Sequence, residues 1–255
     1  MRDLKVVKVG GNELDRPGWL DGLAGALARA GSPVVVVHGG GQAVDALSRR
    51  LGLPIEKRAG RRVTTAAVAE VVEMVLAGPV NRQVVAALRR AGLDAIGLAG
   101  TDGGLLEARP VADEDLGHVG EITRVRVGLL DSLLLAGLTP VVAPVAPAGA
   151  EGVPLNVNAD DAAAAVAGAL RATELLFISD VPGLEVEGAT QPAVAADEVE
   201  TIIDLGLAQG GMAAKLRAAA RALEAGARAV RIGGPEMLGH AAAGTRLLAI
   251  TAQPA

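Results

Sequence analysis

The sequence predicts an α/β protein built on a largely parallel sheet with right-handed crossovers. Three observations carry this. The first 52 residues spell strand, helix, strand, helix. "SPVVVVH" (32–38) is a continuous apolar run of the kind buried on both faces of a parallel sheet. Glycine follows both strands, as Gly10-Gly11 and Gly39-Gly40-Gly41.

The elements follow in order. "DLKVVKV" (3–9) is the first strand. "WLDGLAGALARAG" (19–31) carries helical spacing at Leu20, Leu23, Ala24 and Leu27, with Gly31 as its stop. After the strand at 32–38, "QAVDALSRRLG" (42–52) is a helix. "LPIEKRAGRRVTT" (53–65) reads as a hairpin turned at Ala59-Gly60. Thr65 is placed to cap the helix 66–78, and Pro79 opens a further helix over 79–92. A strand at 94–100 leads into a β excursion over 101–126, with short strands either side of "LGHVGE". A helix (127–137), a strand (138–145) and a Gly/Pro/Ala-rich link (146–154) follow. Then come a loop feeding a helix (156–172), a buried strand leaving into a turn (174–184) and a helix (197–206). A glycine pair opens a long helix (210–226), and strands at 227–234 and 244–250 close the sheet.

Composition narrows the function. The chain has 255 residues, a net charge of −5, no cysteine and two aromatic residues, Trp19 and Phe177. Disulfide and thiolate chemistry are excluded. An acidic chain without stacking platforms does not read as a nucleic-acid binder. No signal peptide or apolar run of membrane-spanning length is evident, so a soluble cytoplasmic protein is expected. Only four of 24 basic residues are lysines: Lys5, Lys8, Lys57 and Lys215. Where arginine is the default cation, a lysine invites a reason such as a need for a compact point charge.

Glycine-rich strand exits recur at Gly10-Gly11, Gly39-Gly40-Gly41 and Gly233-Gly234, and Gly210-Gly211 precedes a helix. Bare backbone N–H groups at helix N-termini form anion sites, and their repetition suggests a polyanion. Neither a P-loop GxxxxGK[ST] nor a GxGxxG following a strand occurs. His38, His118 and His240 show no metal-site spacing, and His38 is expected to pack against the sheet. Lys8, Lys215, Asp160 and Asp180 lie close to strand ends or helix starts. Two lysines and an aspartate near glycine loops suit phosphoryl transfer, where positioning and charge neutralisation carry catalysis.

Nine motifs stand in a recognisable order: "KVGG", "VHGGG", "GRRVTT", "VEMVLAGPVNR", "IGLAGTDGG", "LGHVGEI", "NVNADDAA", "SDVPGL" and "GGMAAK". On these the chain resembles the amino acid kinase family over nearly its whole length. "GRRVT" and "NVNAD" resemble the branch that phosphorylates N-acetyl-L-glutamate. The resemblance implies a three-layer α/β/α sandwich of the carbamate kinase type, with two lobes on one continuous sheet. Residues 1–155 would hold the acyl amino acid and form a dimer; residues 156–255 would hold ATP. The implied reaction moves the γ-phosphoryl of ATP, carried with Mg²⁺, to the side-chain carboxylate. This is the second step of arginine biosynthesis.

Family roles carry over residue by residue. Lys8 resembles the lysine on the transferring phosphoryl group, and Lys215 the lysine shared with the leaving β-phosphate. Asp160 resembles the carboxylate that orients both. Gly11 and Gly41 would offer N–H groups to the phosphoryl group and the attacking carboxylate, with Gly40 lining the pocket. An alanine at Gly41 is expected to meet ligand space and a φ it resists. Arg62, helped by Asn156, resembles the clamp on the α-carboxylate. Gly10, Asp180, Val181, Pro182, Gly183 and Leu184, with Leu207, Ala208 and Gln209, resemble the nucleotide-binding segments. Magnesium would be held mostly by phosphates and water, with no dedicated carboxylate cage. Ala213-Ala214 stands where the family more often shows Ile-Pro, and 183–194 is short for the nucleotide-side excursion.

The chain begins a few residues before its first strand, which sets it beside family members lacking an interlocking N-terminal helix. A homodimer without arginine feedback is the expectation. A kinase for carrier-protein-linked α-aminoadipate in lysine biosynthesis remains an alternative, since Arg61 beside Arg62 would suit an acidic carrier. A silent amino-acid-binding regulator on the same fold is the reading from another class. It should have lost Lys8, Lys215 or Asp160, and all three are present.

Overall fold

A computed structural model describes residues 3–11, 13–58, 60–148 and 153–249. The chain runs through β1 (Lys5–Val9), α1 (Trp19–Ala30), β2 (Val34–His38), α2 (Gly41–Arg50), the hairpin β3 (Lys57–Arg58) and β4 (Arg61–Arg62), α3 (Ala66–Val75), α4 (Asn81–Arg90) and β5 (Ala95–Ala99). Next are β6 (Leu106–Pro110), β7 (Val119–Val125), α5 (Val127–Leu135), β8 (Thr139–Ala143), β9 (Val145–Ala148) and β10 (Val153–Val157). The remainder contains α6 (Ala159–Ala169), β11 (Glu174–Ile178), the hairpin β12 (Glu185–Val186) and β13 (Ala189–Thr190), β14 (Ala193–Ala195), α7 (Val199–Asp204), α8 (Gly210–Glu224), β15 (Val230–Gly233) and β16 (Thr245–Leu248).

Eight strands form one sheet in the order β14-β16-β15-β11-β1-β2-β8-β5. All neighbours are parallel except β15 and β16. From β1 the chain crosses to β2 on one side; much later it enters on the other side of β1 as β11. In open sheets such a reversal opens a crevice at the carboxyl ends of the strands.

Alternation along the strands builds the layers. Val6, Val35, Val37, Leu175 and Phe177 join one core with residues of α5, α6 and α8. Val7, Val9, Val34, Val36, Leu176 and Ile178 join another with α1, α3 and α4. The sheet is therefore filled on both faces, the three-layer sandwich the resemblance implies. Side chains two apart on a strand share a face, so Lys8 lies on the side of Val6, toward α6 and α8. Helix α1 buries Leu20, Leu23, Ala24 and Leu27, and Gly31 ends it at φ 66°. Thr65 caps α3 by accepting from Val68 N at 3.3 Å.

Four expectations change. The strand foreseen over 138–145 breaks at Pro144, and the described residues of the link foreseen over 146–154 are paired. There β9 and β10 run antiparallel and close a small barrel with β6 and β7. Alanine and proline weaken the local strand signal, and the barrel partners β6 and β7 are distant in sequence. Strand β7 also begins inside "LGHVGE", at Val119. Pro79 does not open a helix: it lies in a π-helical turn, Leu76–Val80, that links α3 to α4. Gly78, at φ −96° and ψ −111°, absorbs the irregularity. The resulting run Ala66–Arg90 is long and apolar enough to cross a membrane by length and composition. Here Val68, Val71, Val72, Val75, Val84 and Leu88 are buried in the protein's own core. Ala59 of the hairpin turn, residues 149–152 of the link and Ile250 of the last strand lie outside the described residues.

Candidate active site

The exits of β1 and β2, the first turns of α2 and α6 and the second turn of α8 enclose a cavity of about 280 Å³. Lys8, Gly10, Gly11, Gly40, Gly41, Arg62, Asn156, Asp160 and Lys215 all line it. Three of the four lysines do so, since Lys57 joins Lys8 and Lys215.

At its centre, Lys8 Nζ lies 2.7 Å from Asp160 Oδ1, and Lys215 Nζ lies 3.9 Å from Asp160 Oδ2. The aspartate opens α6, where Asn158 caps the helix by accepting from Asp160 N at 2.8 Å. A helix N-terminus favours a carboxylate. Burial pushes the Asp160 carboxyl up, but the Lys8 and Lys215 ammoniums together outweigh it and hold the group below its ordinary value. Burial and the neighbouring Lys8 push Lys215 down, against the pull of Asp160, Glu13 and Asp180. Two desolvated ammoniums share this carboxylate, and Lys57 and Arg62 on the same wall make the cavity cationic overall, as an incoming anion requires.

The glycine loops pack closely on each other. A Cβ at Gly11 would lie 2.5 Å from Gly40 N, and one at Gly39 would lie 3.0 Å from Gly11 N. At Gly40 it would lie 2.6 Å from Leu76 Cδ2. Gly41 differs from expectation. Its φ lies outside the left-handed region, and a Cβ there meets only Arg62 Nη2, at 3.7 Å. The backbone tolerates alanine at Gly41, so the reason for glycine there lies in the cavity.

Arg62 is buried on β4. Its Nη1 donates to Asp45 on α2, and Nη2 donates to Gly41 O at 3.0 Å. Lys57 Nζ lies 3.5 Å from the other oxygen of Asp45. Asn156, on β10, donates from Nδ2 to Thr64 Oγ1 at 3.1 Å, and Thr64 Oγ1 donates to Arg62 O at 2.9 Å. These contacts tie the hairpin to α2 and the small barrel.

A second cavity of about 690 Å³ shares Gly60, Asn158 and Asp160 with the first and runs beneath the start of α8. Ala208 and Gln209 line it, with Gly210, Gly211, Ala213 and Ala214; Leu207 does not. Asp180, Val181, Pro182, Gly183 and Leu184 line neither cavity. Gly183 packs on Thr245, where a Cβ would lie 2.5 Å from Oγ1; Leu184 N donates to that oxygen at 2.8 Å. Asp180 pairs at the surface with Arg16 at 2.8 Å. The Gly233-Gly234 pair also stays outside both cavities, Gly233 closing against Pro182 O and Gly244.

His38 is fully buried and its ring nitrogens lie 2.8 Å from Gly39 O and 3.1 Å from Asn81 Nδ2. Burial lowers its pKa to about 4, against the upward pull of Gly39 O, so the ring is neutral. The packing role foreseen for it is what the structure contains.

Sequence reasoning missed Glu13, Asp45, Lys57 and Asn158. Asn158 was findable as a helix cap two residues before an acid. Lys57 was visible in the scarcity of lysine. Nothing local marks Glu13, nor Asp45, whose partners Arg62 and Lys57 come from the hairpin.

A parallel sheet with its topological reversal at an anion-receiving cavity defines an α/β enzyme of the ligand-at-the-strand-ends class. The chain belongs to the amino acid kinase family, whose sequence profile matches residues 3–234. It is 48% identical over 234 residues to the acetylglutamate kinase of Chloroflexus aurantiacus, covering 91% of this chain and 92% of that one. The crystal structure of smu.665 from Streptococcus mutans superposes with a TM-score of 0.87 at 29% identity, covering 97% and 99% of the two chains. Carbamate kinase from Giardia lamblia, bound to AMP-PNP, shares the fold with a TM-score of 0.75 at 15% identity over 97% and 99%.

Proposed function

We propose that this chain transfers the γ-phosphoryl group of ATP to the side-chain carboxylate of N-acetyl-L-glutamate, giving N-acetyl-L-glutamyl 5-phosphate for arginine biosynthesis. The observation that carries the reading is the convergence of Lys8, Asp160, Lys215, the glycine loops and Arg62 on one cavity. The acetylglutamate kinase relative, similar over nine-tenths of the chain, points to the acceptor.

The nucleophile is already a carboxylate and needs no general base, in keeping with a buried neutral His38. Lys8 neutralises charge on the group in flight, and Lys215 takes up charge developing on the leaving β-phosphate. Asp160 holds both ammoniums in place. The N–H groups of Gly11 and Gly41 receive the phosphoryl oxygens and the attacking carboxylate. Arg62, braced by Asp45, keeps donors of its five-N–H fork for the α-carboxylate, beside Asn156. The acyl amino acid occupies the lobe of residues 1–155 and ATP the lobe of residues 156–255. The nucleotide runs from Gly10 along the second cavity past Ala208 and Gln209; Leu207 and the Asp180–Leu184 turn lie outside that cavity. Magnesium supplies further neutralisation of the phosphate oxygens. The buried Oε2 of Glu13, which has no hydrogen-bond partner, suits such a hard cation.

The protein works in the cytoplasm as a homodimer. Exposed apolar side chains at Leu51, Ile55 and Met74 near α2 and α3 offer surface for a second copy. Sedimentation should give a dimer; a monomer at micromolar concentration would remove that part of the reading. Arg61 lies 3.8 Å from Asp161 and so presents less free charge to an acidic carrier. The test of function is a phosphoryl-transfer assay with N-acetylglutamate, glutamate, aspartate and carrier-linked α-aminoadipate side by side. N-Acetylglutamate should turn over fastest. Preference for the carrier-linked substrate, or no turnover with any, overturns the proposal.

A further inference from the structure

Glu13 follows the first glycine loop and is 4% exposed. Its Oε2 is buried without a hydrogen-bond partner. The residue lines the same cavity as Lys8, Asp160 and Lys215. Its carboxyl is folded onto Gly10, where a Cβ would lie 2.0 Å from Oε2 and 3.1 Å from Oε1. A carboxylate oxygen in so dry a place without a donor is costly, and it calls for an explanation.

The phosphoryl-transfer reading sharpens the conflict, and the role assigned to Glu13 rests on that reading. Two ammoniums face two carboxylates, so these four groups carry no net charge among them. Into this site must come a polyphosphate and a substrate carboxylate. Asp160 is already engaged by Lys8 at 2.7 Å. Glu13 is left with an oxygen that no donor satisfies, on the wall of the cavity that receives the phosphates. Carboxylate and phosphates repel unless a cation lies between them. Hard divalent cations take oxygen ligands, and magnesium is commonly held by one or two carboxylates together with substrate phosphates.

We propose that Glu13 is the protein ligand, through Oε2, of the divalent cation that enters with the nucleotide phosphates. The site then selects metal-loaded over metal-free nucleotide, because the same carboxylate attracts the first and repels the second.

Calorimetric titration with AMP-PNP, with Mg²⁺ or with excess EDTA, tests this in wild type and in Glu13→Gln. Wild type should bind the magnesium form at least about tenfold tighter. In E13Q the magnesium form should weaken while the metal-free form tightens, so the preference collapses. The same magnesium gain in both proteins overturns the proposal, and so does equal weakening of both nucleotide forms. A measurement on wild type alone stands whether or not the variant folds. With Mn²⁺·AMP-PNP and ¹³C-carboxylate-labelled glutamate in the protein, electron–nuclear double resonance should detect a carboxylate carbon coupled to the manganese. Absence of that coupling overturns the proposal. If wild type binds no nucleotide at all, the phosphoryl-transfer reading falls with it. If wild type binds nucleotide and phosphorylates N-acetylglutamate while E13Q keeps the magnesium gain, only the role of Glu13 falls.

Discussion

Lys8 sits where a strand delivers its last inward side chain toward α6, and a 2.7 Å ion pair to Asp160 holds it there. If its charge serves the transferring phosphoryl group, Lys8→Ala should lower kcat by roughly two to three orders of magnitude. ATP affinity should change far less. Lys8→Arg should also be poor, because a planar fork does not replace a compact ammonium. Steady-state kinetics decide this; a kcat within about threefold of wild type would remove Lys8 from the mechanism. A second residue makes a prediction about stability. His38 has its pKa lowered by burial from 6.5 to about 4, so the unfolded chain binds a proton that the folded chain refuses. Its neutral form is fully accommodated above pH 6.5, and stability should fall as the pH drops from there toward 4. The loss from this group is roughly 3 kcal/mol. Denaturant titrations across that range should show a shallower slope in His38→Gln. NMR of wild type should find the imidazole titrating near pH 4; a midpoint near 6.5 would contradict the burial argument.

At the scale of elements, the short hairpin β3–β4 is a working part. Two-residue strands have little stability alone, so neighbours fix its position. Asp45 on α2 holds Arg62 and approaches Lys57; Thr64 and Asn156 tie the other end to the barrel. Arg58 also reaches Asp115 at 2.8 Å. Asp45 touches no reacting atom in the proposed mechanism and acts by positioning Arg62. Asp45→Asn should therefore raise KM for N-acetylglutamate about tenfold while leaving KM for ATP and kcat near wild type. An equal rise in both KM values would mean that the substitution disturbs the whole cleft. The sequence showed "GRRVTT" as a hairpin and Arg62 as the candidate clamp. It did not show Asp45, because a partner across elements leaves no local pattern.

For the whole molecule, the division near residue 155 does not divide the sheet. Strand β1 pairs with β2 on one side and β11 on the other, and both cores span β8, β2, β1 and β11. The Lys8–Asp160 pair and the Arg61–Asp161 contact also bridge the two halves of the chain. Thermal unfolding should then be one transition. Fluorescence of Trp19, on α1, and far-UV circular dichroism should give coincident curves. Separate midpoints would mean that the lobes fold independently in spite of the shared sheet.

Local chemistry by itself determined the class of fold. Apolar alternation, strand-length valine runs and helical spacing with glycine stops are short-range signals, and β1, α1, β2, α2 and α8 follow them closely. The scarcity of lysine was equally legible, and three of the four lysines meet in one cavity. The order of the motifs pointed to the family. Tertiary structure decided what depends on partners remote along the chain. It paired the Ala/Pro-rich link into a barrel and carried the helix through Pro79 as a π turn. It brought Glu13 into one cavity with Asp160 and Lys215, set Asp45 against Arg62, and kept the 180–184 turn out of both cavities. Those outcomes rest on packing and charge between segments that no window of sequence contains together.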